Sequence, residues 1–445
     1  MRPSRGSSAR ESRSRARSRT RRADRARRSL GYYASSGSSP TRFGPHRIRG
    51  LASQTSSGAG EADLGLYVHV PFCEHVCPYC DFDVIGVRRL AERDEREFVD
   101  LALRELDLLR ERVAGREIAT VYFGGGTPAL LSPESISRLL AAFSAELRFA
   151  SPEITVELNP GQLEVARVPA LREAGVTRLS LGVQAFDDAV LRRLGRAQKG
   201  REALRGLEAC LAAGFPTLSV DLIYGAPGQS LDTQLRDVET AIDLGVPHVS
   251  AYSLTIEPGT PFALGAERGV LDLPDEDTVL AMSRLLRSRL AAAGIAQYEI
   301  SSYARPGHRS RHNQRYWLRG DVLGLGPSSA TLLGASRWRN ARTLGEWRAA
   351  LEGDRLPIVD SETLSDEQAR RETLYLGLRR LDGVSRADFL RRFGAAPEAF
   401  FAAELAALRE RGLICDEAGA LKLTERGILF ADEVFSGLLG DDGGR

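Results

Sequence analysis

Cysteine is scarce in this 445-residue chain: there are five, and three of them fall within the eight positions 73–80. Thiols so few and so bunched exclude a disulfide framework and point to a reducing, cytosolic compartment, where close cysteine spacing serves metal binding or catalysis. Lysine is nearly missing, with only Lys199 and Lys422, and arginine replaces it throughout; this is compositional bias without functional weight. No apolar run reaches the roughly 18–20 residues of a membrane span, so no integral membrane segment is expected. The N-terminal region also lacks the apolar centre of a secretory signal.

The formal net charge of +2 conceals an asymmetry. Residues 1–60 carry fifteen arginines against Glu11 and Asp24, a net +13, which leaves −11 for the remainder. An acidic body does not suit a polyanion, so no nucleic-acid partner is expected. Residues 1–60 are rich in Arg, Ser and Gly, show no apolar periodicity and read as a disordered tail. A transit peptide is a second reading of the same composition.

From Leu66 onward, short apolar runs alternate with amphipathic stretches. The expected strands are Leu66–Val70, Thr120–Phe123, Ile154–Leu158, Arg178–Val183, Leu218–Leu222 and His248–Tyr252, with a seventh at Gln297–Ile300. Helical patterns such as Arg93–Arg112, Pro133–Leu147 and Arg201–Ala213 lie between them. Repeated strand–helix alternation predicts an α/β fold, six β/α units in an open or closed barrel over residues 61–304, with its sites where strands end. Residues 305–445 read as a C-terminal cap domain, helical and winged-helix-like: helices at Asp366–Leu381 and Pro397–Gly412, two strands within 412–427, and a last helix at Ile428–Leu439.

Three groups of residues carry chemistry. Cys73, Cys77 and Cys80 follow the first strand with three and then two residues between them. A four-iron, four-sulfur (4Fe–4S) cluster usually takes four thiolates, so three leave one iron open, and an open position marks a reactive metal site. The competing reading is a structural zinc site completed by His69, His75 or Asp81. Next, Gly124, Gly125, Gly126, Thr127 and Pro128 follow the second strand, where glycines let backbone approach a small zwitterion; the plain reading is a tight turn. Glu157, Gln184 and Asp221 then sit at later strand ends, and Arg196 follows. Buried polar groups there need partners, and together they describe one shared pocket. The third group is His312–Trp317, HNQRYW. Residue chemistry leaves two readings open: a heme ligand flanked by aromatics, or a histidine packed with Tyr316 and Trp317 into an interface.

The runs YVHVPFCEHVCPYCDF, YFGGGTP, VELNP, LSLGVQAFDD, LGRAQ, DLIYGAPGQ and AYSLTIEPGTPF resemble the radical S-adenosyl-L-methionine (SAM) superfamily, and within it the oxygen-independent coproporphyrinogen dehydrogenase group. The resemblance runs from about residue 65 to the C-terminus. It implies a partial (β/α)6 radical SAM barrel whose open iron chelates SAM and whose electron cleaves the sulfonium. It also implies that Tyr67, Tyr79, Gly125 and Glu157 contact SAM, and that Gly126, Thr127, Gln184, Arg196 and Asp221 line a second SAM or substrate position. True dehydrogenases of the group carry a further cysteine two residues after the third ligand; Phe82 stands there. Heme chaperones of the group read CDF at that point and carry HNxxYW, as this chain does at Cys80–Phe82 and His312–Trp317.

That branch implies a heme site at His312, Asn313, Tyr316 and Trp317. It implies apo-hemoproteins as acceptors of heme, and an electron donor such as a flavodoxin or ferredoxin. The alternatives are an oxygen-independent coproporphyrinogen oxidase and a zinc-stabilised DNA-binding protein. Two departures stand out: Gln198 where the family often has histidine, and Ser329-Ala330-Thr331 where it often reads a GAHS-like run.

Overall fold

Strand β1, Asp63–Val70, is buried at every position after its first, as a strand covered on both faces must be. The structure, a computed structural model, describes residues 63–439; the tail expected over 1–60 lies outside the described residues. Five further strands, β2 (Glu117–Gly125), β3 (Arg148–Leu158), β4 (Arg178–Gln184), β5 (Thr217–Tyr224) and β6 (His248–Ser253), follow β1 side by side in sequence order. All five pairings are parallel. Each crossover carries a helix: Glu92–Val113, Pro133–Glu146, Gln162–Glu173, Gly200–Ala212 and Leu231–Asp243. Helix starts follow ordinary capping chemistry; Ser132 accepts from the Ser135 amide with Pro133 at the first helical position. The sheet curves without closing, so the six expected β/α units form an open partial barrel.

The seventh expected strand differs. Gln297–Ile300 is broken by a turn, in which the Gln297 side chain donates to the Ile300 carbonyl, and two short strands, Ala296–Gln297 and Ser302–Ala304, flank it. On the opposite edge, Val322–Leu325 pairs parallel with β1, and Ala330–Leu333, Ser336–Asn340 and Ile358–Thr363 continue the sheet antiparallel. Residues 305–364, read in sequence as the start of the cap, thus extend the barrel sheet, and the two compact units divide after Leu364.

One buried carboxylate pins this extension to the barrel. Glu105, on helix Glu92–Val113, accepts from the Gly326 amide (2.8 Å), Trp347 Nε1 (2.9 Å) and Asn340 Nδ2 (2.5 Å).

The unit over 365–439 holds helices Asp366–Leu378, Arg386–Phe393 and Glu398–Glu410, and a three-stranded sheet with Ala420–Leu423 in its centre. The expected hairpin is present as Ile414–Glu417 and Ala420–Leu423, turning through Ala418 and Gly419, both at positive φ. The expected terminal helix is two pieces, Glu425–Leu429 and Ala431–Leu438, because Phe430 between them leaves helical geometry. No helix among the described residues is long and apolar enough to cross a membrane.

Candidate functional site

The parallel strands bring their C-terminal ends to one mouth, and the residues there line a cavity of about 390 Å³. Cys73, Cys77, Tyr79 and Cys80 come from the loop after β1; Gly125 ends β2, and Gly126 and Thr127 follow it; Glu157, Gln184 and Asp221 come from β3, β4 and β5; Arg196 follows β4. Eleven of the twelve residues expected for cluster and SAM therefore line one cavity. Tyr67 does not join them: its ring stacks on Tyr122 (centroids 6.1 Å apart) and its hydroxyl meets His69 Nδ1 at 3.2 Å.

The cysteine loop is held at both ends. Phe72–Cys73 pairs with Ile85–Gly86, and the Val87 amide donates to the Cys73 carbonyl at 2.8 Å. Beyond Cys80, the Asp83 carboxylate takes Arg342 Nε at 3.0 Å and the Ser328 hydroxyl, while its carbonyl accepts His69 Nε2–H at 3.0 Å. A carbonyl can only accept, so His69 carries its proton on Nε2, and its Nδ1 accepts from Tyr67.

A second set of bonds backs the thiols. Arg196 Nη1 donates to Cys77 Sγ (3.3 Å), and its Nη2 to Asn159 Oδ1 (2.6 Å) and the Gly182 carbonyl (2.9 Å). Asn159 Nδ2 donates to Thr127 Oγ1 (3.0 Å), whose hydroxyl reaches Cys73 Sγ at 3.6 Å. One guanidinium and one hydroxyl are thereby aimed at two sulfurs, and at Cys73 both favour the thiolate. Burial works the other way, raising the Cys73 thiol and pushing Cys80 up to about 12, so the charge of a bound metal has to complete the deprotonation. Among the described residues, no three Cys, His, Asp or Glu side chains converge as ligands of a single ion do. Thiolates that each take a different iron of a cluster need no such convergence.

The glycine turn is tight for a reason visible in its neighbours. Gly125 has φ +108°, and a Cβ on it would lie 2.6 Å from His69 Cε1. A Cβ on Gly126 would lie 2.6 Å from the Phe72 carbonyl oxygen, on backbone that cannot swing aside. The Gly126 and Thr127 amides donate to the Val70 and Phe72 carbonyls at 2.8 and 2.7 Å, tying the turn to the cysteine loop. Gly126→Ala is expected to cost about 1–3 kcal/mol by overpacking, read by thermal unfolding. Gly345→Ala, with open space around its Cβ in helix Leu344–Glu352, is the control and is expected to be neutral to slightly stabilising.

Four carboxylates line the cavity, and two of them, Glu157 and Asp221, come from the strand ends. Glu157 accepts from Tyr122 Oη (2.7 Å) and the Gly125 amide (3.2 Å); burial pushes its pKa up to about 7, the Tyr122 bond opposing and the Asp221 charge adding. Asp221 is raised by burial despite hydroxyls from Ser250 and from Ser180, which lies 3.1 Å away. Gln184 closes β4 at φ +68°, backbone strain of the kind that gathers at functional sites.

Behind Glu157 lies a cluster of aromatic rings. Thr120, Tyr122 and Gly124 alternate along the inward face of β2. Helix Arg311–Trp317 packs beneath them, its first amides capped by Ser310 and by Glu153, which accepts from Arg311 N (2.8 Å) and His312 N (3.1 Å). His312 is 0% exposed. Its Nδ1 meets Thr120 Oγ1 at 2.9 Å, its Nε2 meets Tyr316 Oη at 3.1 Å, and its ring lies 5.0 Å from that of Tyr122. Burial, with Arg315 adding, depresses its pKa to about 3, so the ring is neutral at any ordinary pH. Asn313 and Trp317 lie partly buried on the same helix, and none of His312, Asn313, Tyr316 and Trp317 lines the cavity.

Sequence reasoning missed Asn159 as the bridge between Arg196 and Thr127, Tyr122 as the partner of Glu157, and Asp83, Ser328 and Arg342 as the anchor of the cysteine loop. Tyr122 was discoverable from its alternation with Thr120 and Gly124; the anchor was not, since Asp83 and Arg342 are far apart in sequence.

Comparison with known proteins agrees with this geometry. A model of the radical SAM superfamily matches residues 67–241, and one of the HemN C-terminal domain matches residues 364–430. The heme chaperone HemW of Bacillus subtilis is 34% identical over 84% of this chain and 99% of its own length. That of Mycobacterium tuberculosis is 38% identical over 90% and 99%. Among solved structures, coproporphyrinogen III oxidase (HemN) of Escherichia coli superposes with a TM-score of 0.74 at 24% identity, covering 85% of this chain and 90% of that one, a likeness of fold. This chain belongs to the radical SAM superfamily, in the heme chaperone branch of its oxygen-independent coproporphyrinogen dehydrogenase-like group.

Proposed function

We propose that this chain is a heme chaperone that carries a 4Fe–4S cluster on Cys73, Cys77 and Cys80, binds SAM at the open iron, and delivers heme to apo-hemoproteins. The observation that supports it most is the meeting of three cysteines with the glycine turn, Glu157, Arg196 and Asp221 at one cavity. The donor set fits the cluster: three thiols, two of them backed by a cation and a hydroxyl. When bound and reduced, such a cluster supplies an electron for cleaving the sulfonium of SAM. The protein's own part is to hold the thiolates through Arg196, Asn159 and Thr127, and to offer SAM the backbone of Gly124–Gly126 and the carboxyl of Glu157. With its pKa near 7, that carboxyl can accept from an ammonium group once ionised.

Phe82, where the dehydrogenases place a further cysteine, supports the chaperone over the oxidase. Being 38% exposed, it offers the cavity rim an apolar face and no thiol. Anaerobic heme titration of the reconstituted protein tests the reading, with saturation at one equivalent and transfer to an apo-hemoprotein expected. No saturable heme absorbance contradicts it, and so does protoporphyrinogen formed from coproporphyrinogen and SAM by the reduced protein.

A further inference from the structure

We infer that His248, which does not line the cavity, is a positioning residue for Asp221: through the Ser219 hydroxyl it holds that carboxylate ready for a ligand. This rests on the reading above that SAM binds in the cavity that Asp221 lines. Side chains alternate along a strand, so Ser180 on β4, Ser219 and Asp221 on β5, and His248 and Ser250 on β6 share the inward face. Register sets Ser180 beside Ser219, Ser219 beside His248, and Asp221 beside Ser250. Three serines therefore surround one carboxylate. Asp221 accepts from Ser180 Oγ at 3.1 Å, from Ser219 Oγ at 3.5 Å and from the Ser250 hydroxyl. Ser219 and Ser250 are buried and neither lines the cavity, whereas Asp221 does.

A hydroxyl has one hydrogen to give, so what Ser219 offers Asp221 depends on its other partner. That partner is His248 Nδ1, 2.7 Å away. Were Nδ1 without a proton, Ser219 would donate to it and be lost to the carboxylate. The far side of the ring decides. His248 Nε2 meets Tyr298 Oη at 2.9 Å, and that phenol oxygen already accepts the Ser310 amide hydrogen at 3.1 Å. The phenol's own hydrogen goes to Nε2, which leaves the ring proton on Nδ1. The ring is neutral, because burial and the Arg178 charge hold its pKa well below the ordinary 6.5. The bonds then run one way, from the Ser310 amide through Tyr298 and His248 to Ser219. The Ser219 hydrogen goes to Asp221 directly, or to Ser250 at 3.2 Å, whose own hydrogen goes to Asp221. Hydroxyls take the lone pairs turned into the barrel, and the remaining ones serve the cavity.

A polar core satisfied for packing alone would show the same distances, so the test must part packing from positioning. Asn and Leu have nearly the same shape, but only Asn offers an N–H where His248 has Nδ1. Full-length wild type, Ser219→Ala, His248→Asn, His248→Leu, Asp221→Asn and the Ser219→Ala/Asp221→Asn pair are reconstituted anaerobically and assayed for iron and sulfide. Each is dialysed to equilibrium against SAM with the cluster oxidised, so that SAM stays intact. Cluster content is expected to match wild type throughout. SAM affinity is expected to fall about fivefold to tenfold in Ser219→Ala and His248→Leu, and to stay near wild type in His248→Asn. With Asp221→Asn in place, adding Ser219→Ala should cost about twofold at most, since the carboxylate it serves is gone. Ser219→Ala is the smallest change and decides the matter even where His248→Leu fails to fold. Wild-type affinity in Ser219→Ala overturns the assignment, as does an undiminished loss in the Asp221→Asn background. So does a folded His248→Asn that binds as weakly as His248→Leu. Cluster-loaded wild type that binds no SAM overturns the SAM reading instead, and this is measured before any variant.

Discussion

Cys77→Ala is expected to abolish the cluster, with iron and sulfide per chain falling to near zero after anaerobic reconstitution. Two thiolates cannot hold three irons, and the loss does not stop at the missing ligand. Arg196 points Nη1 at Cys77 Sγ from a pocket where its Nε has no hydrogen-bond partner. Without that sulfur, a buried guanidinium loses an acceptor, a further cost of about 1–3 kcal/mol. Thermal unfolding should therefore show destabilisation even in cluster-free protein. Cys415→Ala is the control, because Cys415 lies on a strand of the unit over 365–439, and its cluster content should match wild type. Iron and sulfide retained at wild-type levels in Cys77→Ala would remove Cys77 from the ligand set.

Glu105→Ala should be the most destabilising substitution away from the cavity, at about 3–5 kcal/mol. It orphans three buried donors at once: the Gly326 amide, the Trp347 indole and the Asn340 amide. These hold the 322–363 strands against the barrel helix, and the same extension supplies Ser328 and Arg342 to Asp83 behind the cysteine loop. Loss of Glu105 should thus also lower cluster content, although it touches no cysteine.

The same residue predicts a pH dependence. Burial pushes Glu105 up to about 7 from an ordinary 4.5, its three donors opposing. The folded state therefore holds that proton more tightly than the unfolded state. Its contribution to stability is most favourable below pH 4.5 and is lost as pH rises toward 7, by about 3 kcal/mol in all. Glu105→Gln removes this titration, so the stability difference between Glu105→Gln and wild type should change with pH between 4.5 and 7 and stay flat above. A constant difference would mean that Glu105 ionises normally.

Much of this architecture was legible in the residues. Six apolar runs separated by helical patterns located the six parallel strands, because strands buried on both faces read as continuous apolar segments. The cysteine triplet, the glycine turn and the polar residues at strand ends then shared one mouth by topology alone. The 305–364 extension was not legible. Val322–Leu325 pairs with a strand more than 250 residues earlier, and its four residues carry no local pattern that announces such a partner. The anchors Asp83–Arg342 and Glu105–Asn340 were invisible for the same reason. His312 shows where two kinds of inference part. Residue chemistry left a heme ligand or a histidine packed among aromatics, and in the structure the ring is enclosed by Thr120, Tyr122 and Tyr316; the resemblance placed it in a heme site.

The central claim is a cluster held at three corners by Cys73, Cys77 and Cys80, with one iron left for SAM. EPR of the reconstituted, anaerobically reduced wild-type protein, recorded with and without SAM, tests it most directly. The account predicts a reduced 4Fe–4S signal whose g-values and line shape shift when SAM is added. A signal indifferent to SAM, or a protein that takes up zinc but no iron and sulfide, contradicts it.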